Sequence, residues 1–290
     1  MGRTTEFIIK DLVKFYNRTK VLDIAALKLF AGEFVALMGK NGSGKSTMMR
    51  LLSQQELFDS GDIIFNGQSL LSTSIKLNPL MTFISEEHEL PFPEPLSFWL
   101  NSNINLYPHF DRELFGRLTT SLEIDLSKSF HGMSRGQKMK ALFCLQAPRK
   151  PDIYLLDEIT SVLDTGSRWT LMEFLDEEVK RGCLVVMSTN IASEMQGFAT
   201  QVIFIDSGKV GFECNSKSIG AHFRKIKVPK SQEQNVVSTM AARKISLNGD
   251  GTWIFLHPRE STREIPGVSE DQREVTIADV QSYFTAGERA

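Results

Sequence analysis

Apolar positions along the chain fall into two rhythms. Short unbroken apolar runs at 34–38 (FVALM), 153–156 (IYLL), 184–187 (LVVM) and 202–205 (VIFI) have the length of strands covered on both faces. Residues 167–181, between the second and third runs, instead carry the spacing of an amphipathic helix. Strand runs alternating with helical stretches predict an α/β layered domain with a largely parallel sheet. The first run passes straight into a glycine-rich stretch, and 46–52 continue as a helix, which places a ligand at the carboxyl ends of the strands. Earlier segments at 7–9, 21–29 and 61–66 read as a twisted antiparallel layer. From about residue 221 the texture changes. Basic residues Arg224, Lys225, Lys227 and Lys230 read as a solvated linker, while 244–247 and 252–256 around Asn248-Gly249-Asp250-Gly251 predict a hairpin. Thr276-Ile-Ala-Asp279 predicts a capping box that opens a terminal helix through Phe284.

A chain of 290 residues holds one large domain and a small appendage. We divide it into 1–220, with a helical subdomain at about 90–150, and a 221–290 extension suited to partner recognition, dimer stabilisation or regulation. Hydrophobic residues at 41% and charged residues at 23% are those of a chain that folds around a real core. Lys plus Arg number 33 against 35 acidic residues, so no global field draws the protein to nucleic acid. Cys144, Cys183 and Cys214 are odd in number and lack C-x-x-C spacing, which fits a reducing, cytoplasmic setting. Lys10, Asp11 and Lys14 break the place where a signal peptide needs its apolar core, and no apolar stretch approaches the roughly 18 residues of a membrane span. Contact with a membrane is therefore expected through a partner.

The chemistry concentrates in a few places. Gly39-Lys-Asn41-Gly42-Ser43-Gly44-Lys45-Ser46-Thr47 satisfies G-x-x-x-x-G-K-[ST], with the strand before and the helix after that phosphate binding requires. Gly42 and Gly44 turn backbone N–H groups inward as an anion nest, Lys45 neutralises the β and γ phosphates of ATP, and Ser46 ligates Mg²⁺. The flanking elements argue against an accidental glycine-rich turn. Asp157-Glu158 ends a buried run, where Asp157 holds Mg²⁺ through its water shell and Glu158 polarises the attacking water. On its own such an ending is more often a strand meeting its loop; a second matched motif reverses that reading.

Met133-Ser134-Arg135-Gly136-Gln137 precedes Asp157, and Ser161-Val-Leu-Asp164 follows Glu158. In this order the motifs resemble those of the ATP-binding subunits of the ABC (ATP-binding cassette) superfamily over roughly residues 7–219. The resemblance implies a RecA-like parallel-sheet core of the phosphate-loop NTPase type, an antiparallel β layer and a helical subdomain, with a small C-terminal α+β extension. It implies MgATP hydrolysis in a head-to-tail dimer, homodimeric or with a paralogue, in which Ser134, Gly136 and Gln137 contact the γ-phosphate on the opposite subunit and Asp164 couples the two sites. Tyr16 matches the family's adenine-stacking aromatic, against the plainer reading of a packed strand aromatic. Glu86 stands where a Gln usually ligates Mg²⁺ and senses the γ-phosphate, and Asn190 where the family's switch carries His. Arg135 replaces a usual Gly, and Ile159 a common Pro; these departures suit slow hydrolysis or an asymmetric dimer. Tyr107-Pro-His-Phe-Asp111 resembles a bacterial exporter group of multidrug, antimicrobial-peptide and phenol-soluble-modulin exporters. By that resemblance Phe92, Phe98, Trp99 and Phe110 line a groove for a membrane subunit, against the reading of core aromatics. The implied function is ATP-driven export with separate integral membrane subunits. The competing readings are an ABC-type soluble regulatory or mechanical ATPase, and a small-molecule kinase, which has no need of the second motif.

Overall fold

The four apolar runs lie side by side in one sheet. A computed structural model of the chain describes residues 5–71, 80–88, 90, 93–234, 236, 242–247, 249, 252–259 and 268–285. In it β3 (Phe34–Met38), β6 (Met81–Ser85), β7 (Ile153–Asp157), β8 (Leu184–Ser188), β9 (Gln201–Asp206) and β10 (Lys209–Asn215) form a six-stranded sheet in the order β10-β9-β3-β8-β7-β6. Its pairs are parallel except β9 with β10. The second sheet is antiparallel, in the order β2-β1-β4-β5, from β1 (Glu6–Tyr16), β2 (Thr19–Phe30), β4 (Ser60–Phe65) and β5 (Gln68–Ser69).

Alternation along the parallel strands divides the core. Val35, Leu37, Leu155, Val186 and Ile205 face the antiparallel sheet and helix α1 (Lys45–Leu52), whose Met48, Met49, Leu51 and Leu52 join the same cluster. Phe34, Ala36, Tyr154, Leu156, Val185 and Phe204 face the opposite cluster with the remaining helices. A one-residue slip of any strand would exchange the two sets, so burial on both faces fixes the register that aligns the strand ends.

Helices α2 (Leu96–Asn103), α3 (Arg112–Ser121) and α4 (Arg135–Gln146) lie between β6 and β7 in the chain. The 107–111 motif has a packing task there. Asp111 caps α3 by accepting from Leu114 N–H (2.9 Å) and pairs with Lys150 (2.9 Å), and the Arg149 guanidinium lies 4.3 Å from the Tyr107 ring centre. Of the four aromatics expected to line a groove, Trp99 and Phe110 pack on the core instead, Phe98 is 55% exposed, and Phe92 lies outside the described residues.

After α5 (Thr165–Lys180), α6 (Ala192–Met195) and α7 (Ile219–His222), a third sheet in the order β12-β13-β11-β14 is built from β11 (Phe223–Val228), β12 (Arg243–Leu247), β13 (Trp253–Pro258) and β14 (Ser269–Asp271). Strands β12 and β13 pair as the hairpin expected, with Leu247 opposite Trp253; Asn248, Asp250 and Gly251 of its turn lie outside the described residues. The basic linker is not a linker. Arg224, Lys225 and Lys227 belong to β11, a strand paired on both sides, whose Phe223, Ile226 and Val228 are buried while Lys225 pairs with Asp279 at 2.8 Å. Helix α8 (Ile277–Thr285) starts on the expected capping box: Asp279 accepts from Thr276 N–H (2.7 Å), and Thr276 Oγ1 accepts from Asp279 N–H (3.2 Å).

The extension is packed on the core sheet. Phe284 of α8 stacks on Phe204 of β9 with ring centres 5.0 Å apart, and on Phe212 of β10 at 6.1 Å. All three cysteines are buried and free, and burial pushes their thiols up, to about 12 for Cys144 and Cys183 and about 11 for Cys214. Phe284 is half-buried, so Phe284→Ala should cost roughly 2 kcal/mol, below the roughly 3–5 of a fully buried Phe. Denaturant unfolding of the variant checks this; an unshifted midpoint would mean that the ring stack does not hold the extension to the core.

Candidate functional site

Four strand ends meet at one edge of the parallel sheet. The register sets Ser85, Asp157 and Ser188 side by side at the ends of β6, β7 and β8, while β3 delivers the 39–44 loop. Around them lies a cleft of about 640 Å³ lined by residues that include Tyr16, Asn41, Gly42, Gly44, Lys45, Ser46, Thr47, Glu86, Asp157 and Glu158. That volume is in the range of small-molecule sites.

The phosphate loop is held from below. Gly39 has φ +150°, and a Cβ there would stand 2.2 Å from the Ile205 carbonyl oxygen of β9, so no larger residue fits. Ser43 is buried beneath the loop's exposed Asn41 and Gly42, and its carbonyl accepts from Gly208 N–H at 2.9 Å. Helix α1 begins after Gly44 with no side-chain cap, which leaves the N–H groups of its first turn for an anion. Lys45 is 4% exposed. Its ammonium donates to Gly39 O (2.8 Å), Lys40 O (3.0 Å) and Asn190 Oδ1 (3.2 Å) and lies 3.6 Å from Glu158 Oε1. Burial lowers the lysine's pKa from its ordinary value, and the carboxylates of Glu158 and Asp157 oppose that shift.

The acidic pair splits as its strand position dictates. Asp157 ends β7, buried, where its carboxylate accepts a short hydrogen bond from the Ser188 hydroxyl. Glu158 follows in the left-handed region at φ 53°, which costs a non-glycine residue about 1 kcal/mol or more and turns the side chain toward Lys45. Its N–H bonds the Ser188 hydroxyl at 3.0 Å, so one serine orients both acids. Asn190 completes the centre: its Nδ2 donates to Glu158 Oε1 (3.0 Å) and Asn41 Oδ1 (2.7 Å). Sequence reading did not single out Ser188; its place beside Asn190 at the end of an apolar run was the available signal.

Ser46, Asp157 and Glu86 supply hard oxygen donors at one cleft, the donor type that Mg²⁺ takes, and this ion keeps several waters beside one or two protein oxygens and phosphate. The residues fit the ion: Ser46 and Asp157 would hold it, and it would draw charge from the phosphates. Glu86 reaches the same wall, but its carboxylate pairs with the Arg135 guanidinium, so two of the four departures from the family pattern form one ion pair. Tyr16 stands partly exposed at the rim, with its hydroxyl bonded to Glu56 and its ring 5.4 Å from the Lys14 ammonium.

Ser134, Gly136 and Gln137 are not among the lining residues of this cleft. Ser134 and Gln137 form the capping box of α4, with Ser134 N–H donating to Gln137 Oε1 (3.0 Å) and Gln137 N–H to Ser134 Oγ (3.3 Å). Gly136 is set by close approach, because a Cβ there would meet the Val162 carbonyl oxygen at 2.6 Å. Asp164 caps α5 by accepting from Ser167 N–H (2.8 Å) and Ser167 Oγ (2.7 Å), and these bonds hold its carboxyl down at about 2.

A phosphate loop after β3 of a parallel sheet, a buried lysine and paired acids at the end of β7, with β8 between the two strands, define a nucleoside-triphosphate hydrolase. Residues 22–161 match the model of the ABC transporter family. The chain is similar to the ABC transporter ATP-binding protein YtrB of Bacillus subtilis, with 27% identity over 70% of this chain and 69% of that protein. It is 29% identical, over 72% of this chain and 76% of the relative, to the aliphatic sulfonates import ATP-binding protein SsuB of Yersinia pestis. A solved ATP-binding subunit of an ABC transporter superposes with a TM-score of 0.65 at 24% identity, covering 74% of this chain and 92% of that one. A dimeric ATP-binding cassette with ADP and Pi bound superposes at 0.63 and 21% identity, covering 72% and 98%. Over residues 22–161, the segment that carries the phosphate loop and the acidic pair, the chain is thus similar to the ABC transporter family, and its site is that of an ATPase.

The site predicts a separation of roles. Lys45→Ala should weaken MgATP binding about tenfold or more, the worth of a charge-assisted bond to phosphate. Glu158→Gln should bind MgATP and lose about 100-fold or more in turnover, as for a removed general base. Nucleotide titration and steady-state ATPase rates check both, and wild-type turnover in Glu158→Gln would remove the base role.

Proposed function

We propose that this subunit powers export across a bacterial membrane, hydrolysing MgATP at a composite site formed by two cassettes stacked head to tail beneath separately encoded membrane subunits. The observation that carries the composite site is the placement of Ser134, Gly136 and Gln137 on the N-terminal turn of α4, outside the cleft that holds Lys45 and Glu158. A helix start with an anion-binding backbone that faces no phosphate of its own subunit is suited to meet the γ-phosphate of another. Tyr16 stacks on the adenine, Ser46 and Asp157 hold Mg²⁺, Glu158 positions the water and Asn190 contacts the γ-phosphate. Glu86 faces the same cleft, with its negative charge offset by Arg135.

Among the described residues no helix is long and apolar enough to cross a membrane, so translocation is assigned to a partner. Phe98 and Leu106, both exposed on the helical subdomain, are suited to receive it. Relatives of this chain include an import subunit, and the export direction rests on the 107–111 motif. The cassette then works at the inner face of the cell membrane, in the cytoplasm.

Ser134→Arg should leave nucleotide affinity of the monomer within about twofold while abolishing ATP-dependent dimerisation and turnover. Specific activity of the wild type should rise with concentration wherever dimers are scarce. Activity unchanged on dilution through a measured monomer–dimer transition would rule out the composite site, and copurification with an integral membrane protein tests the transport role.

A further inference from the structure

The extension reaches the catalytic centre through one side chain. Gln281 of α8 donates from Nε2 to the carbonyl of Asn190 (2.7 Å), and its Oε1 accepts from the N–H of Ala192 (3.1 Å). Both ends of one amide thus close on the segment that joins β8 to α6. Helix α6 needs this contact. Its N-cap residue, Ile191, has no side-chain acceptor, so the Ala192 N–H is an orphan donor that Gln281 satisfies from another element. Close by, the Ile277 N–H of α8 points to Gln196 Oε1 at 3.4 Å.

Asn190 is held from two sides. Its side chain is spent on Lys45, Glu158 and Asn41, while its backbone carbonyl is fixed by Gln281. Helix α8 is itself anchored. Phe284 stacks on the core strands, Asp279 pairs with Lys225 of β11, and Arg243 of β12 donates to the Tyr283 carbonyl at 2.7 Å. The third sheet is therefore linked through α8 to the backbone of Asn190.

We infer that Gln281 is a positioning residue for ATP hydrolysis, acting through Asn190, and that the C-terminal extension sets the turnover of the cassette by this clamp. The inference rests on the reading of Asn190 as the γ-phosphate contact.

The test uses the full chain. Gln281→Met keeps the length and most of the packing and removes both hydrogen bonds. It should lower kcat about fivefold, the scale of one or two modest hydrogen bonds, with KM for MgATP within about twofold of wild type. Its Ala192 amide should exchange hydrogen about tenfold faster. In an Asn190→Ala background the same substitution should slow turnover no further, since the two residues act in series. Gln281→Glu keeps an acceptor for Ala192 but sets a carboxylate against the Asn190 carbonyl. It should be as slow as Gln281→Met with the Ala192 amide still protected, and it carries the test if Gln281→Met does not fold. Unchanged kcat in a folded Gln281 variant, or equal losses with and without Asn190, would overturn the clamp while leaving the site intact. Wild-type turnover in Asn190→Ala would instead remove the switch reading, and the proposal with it.

Discussion

A single buried cation organises the site. The Lys45 ammonium is withdrawn from water and must be met by acceptors on several sides, because an unpaired charge in that position costs several kcal/mol. The acceptors come from three separate parts of the sheet edge: the carbonyls of the 39–40 turn, Glu158 after β7 and Asn190 after β8. The two-sided burial that fixes strand register is thus also what brings these groups within reach of one nitrogen. The site is thus assembled around charge before any ligand adds its own.

The parallel core and its chemistry were legible because their signals are local. An apolar run beside a glycine loop, or ahead of two acids, announces its geometry within a dozen residues. The capping box at Thr276 and the β12–β13 hairpin were legible for the same reason. What escaped the reading depends on residues far apart in the chain. Lys225 looked like part of a solvated linker because its charge hid the apolar alternation of Phe223, Ile226 and Val228, and its partner, Asp279, lies on another element. Gln281 offered no signal at all, since a lone glutamine on a short helix has no periodicity to betray a bond to a loop 91 residues earlier. The 107–111 motif was read for kinship, and the structure adds that its Asp is a helix cap.

Three of the four departures from the family pattern fall into two groups when placed in space. Glu86 and Arg135 belong to different layers of the cassette yet meet as an ion pair, so the charge that each adds is cancelled by the other. Both are substantially exposed, and a pair of that kind contributes little to stability, of order 0–1 kcal/mol. Its effect is geometric, since it ties the wall of the cleft to the start of α4. Asn190 is different. Its neutral amide bridges a cation and a carboxylate at once, donating to one side and accepting from the other, a combination that an amide provides with two groups on one plane.

The three cysteines have a practical corollary. Each lies in an apolar setting that lifts its thiol to about 11 or 12, so at neutral pH the fraction present as reactive thiolate is on the order of one in ten thousand or less. Toward maleimides and similar alkylating probes the three buried thiols of the folded chain should react far more slowly than an exposed one. One cysteine placed at Arg135, the exposed first residue of α4, would then carry a fluorophore or spin label without prior removal of the native ones, and its signal would be read against a silent background.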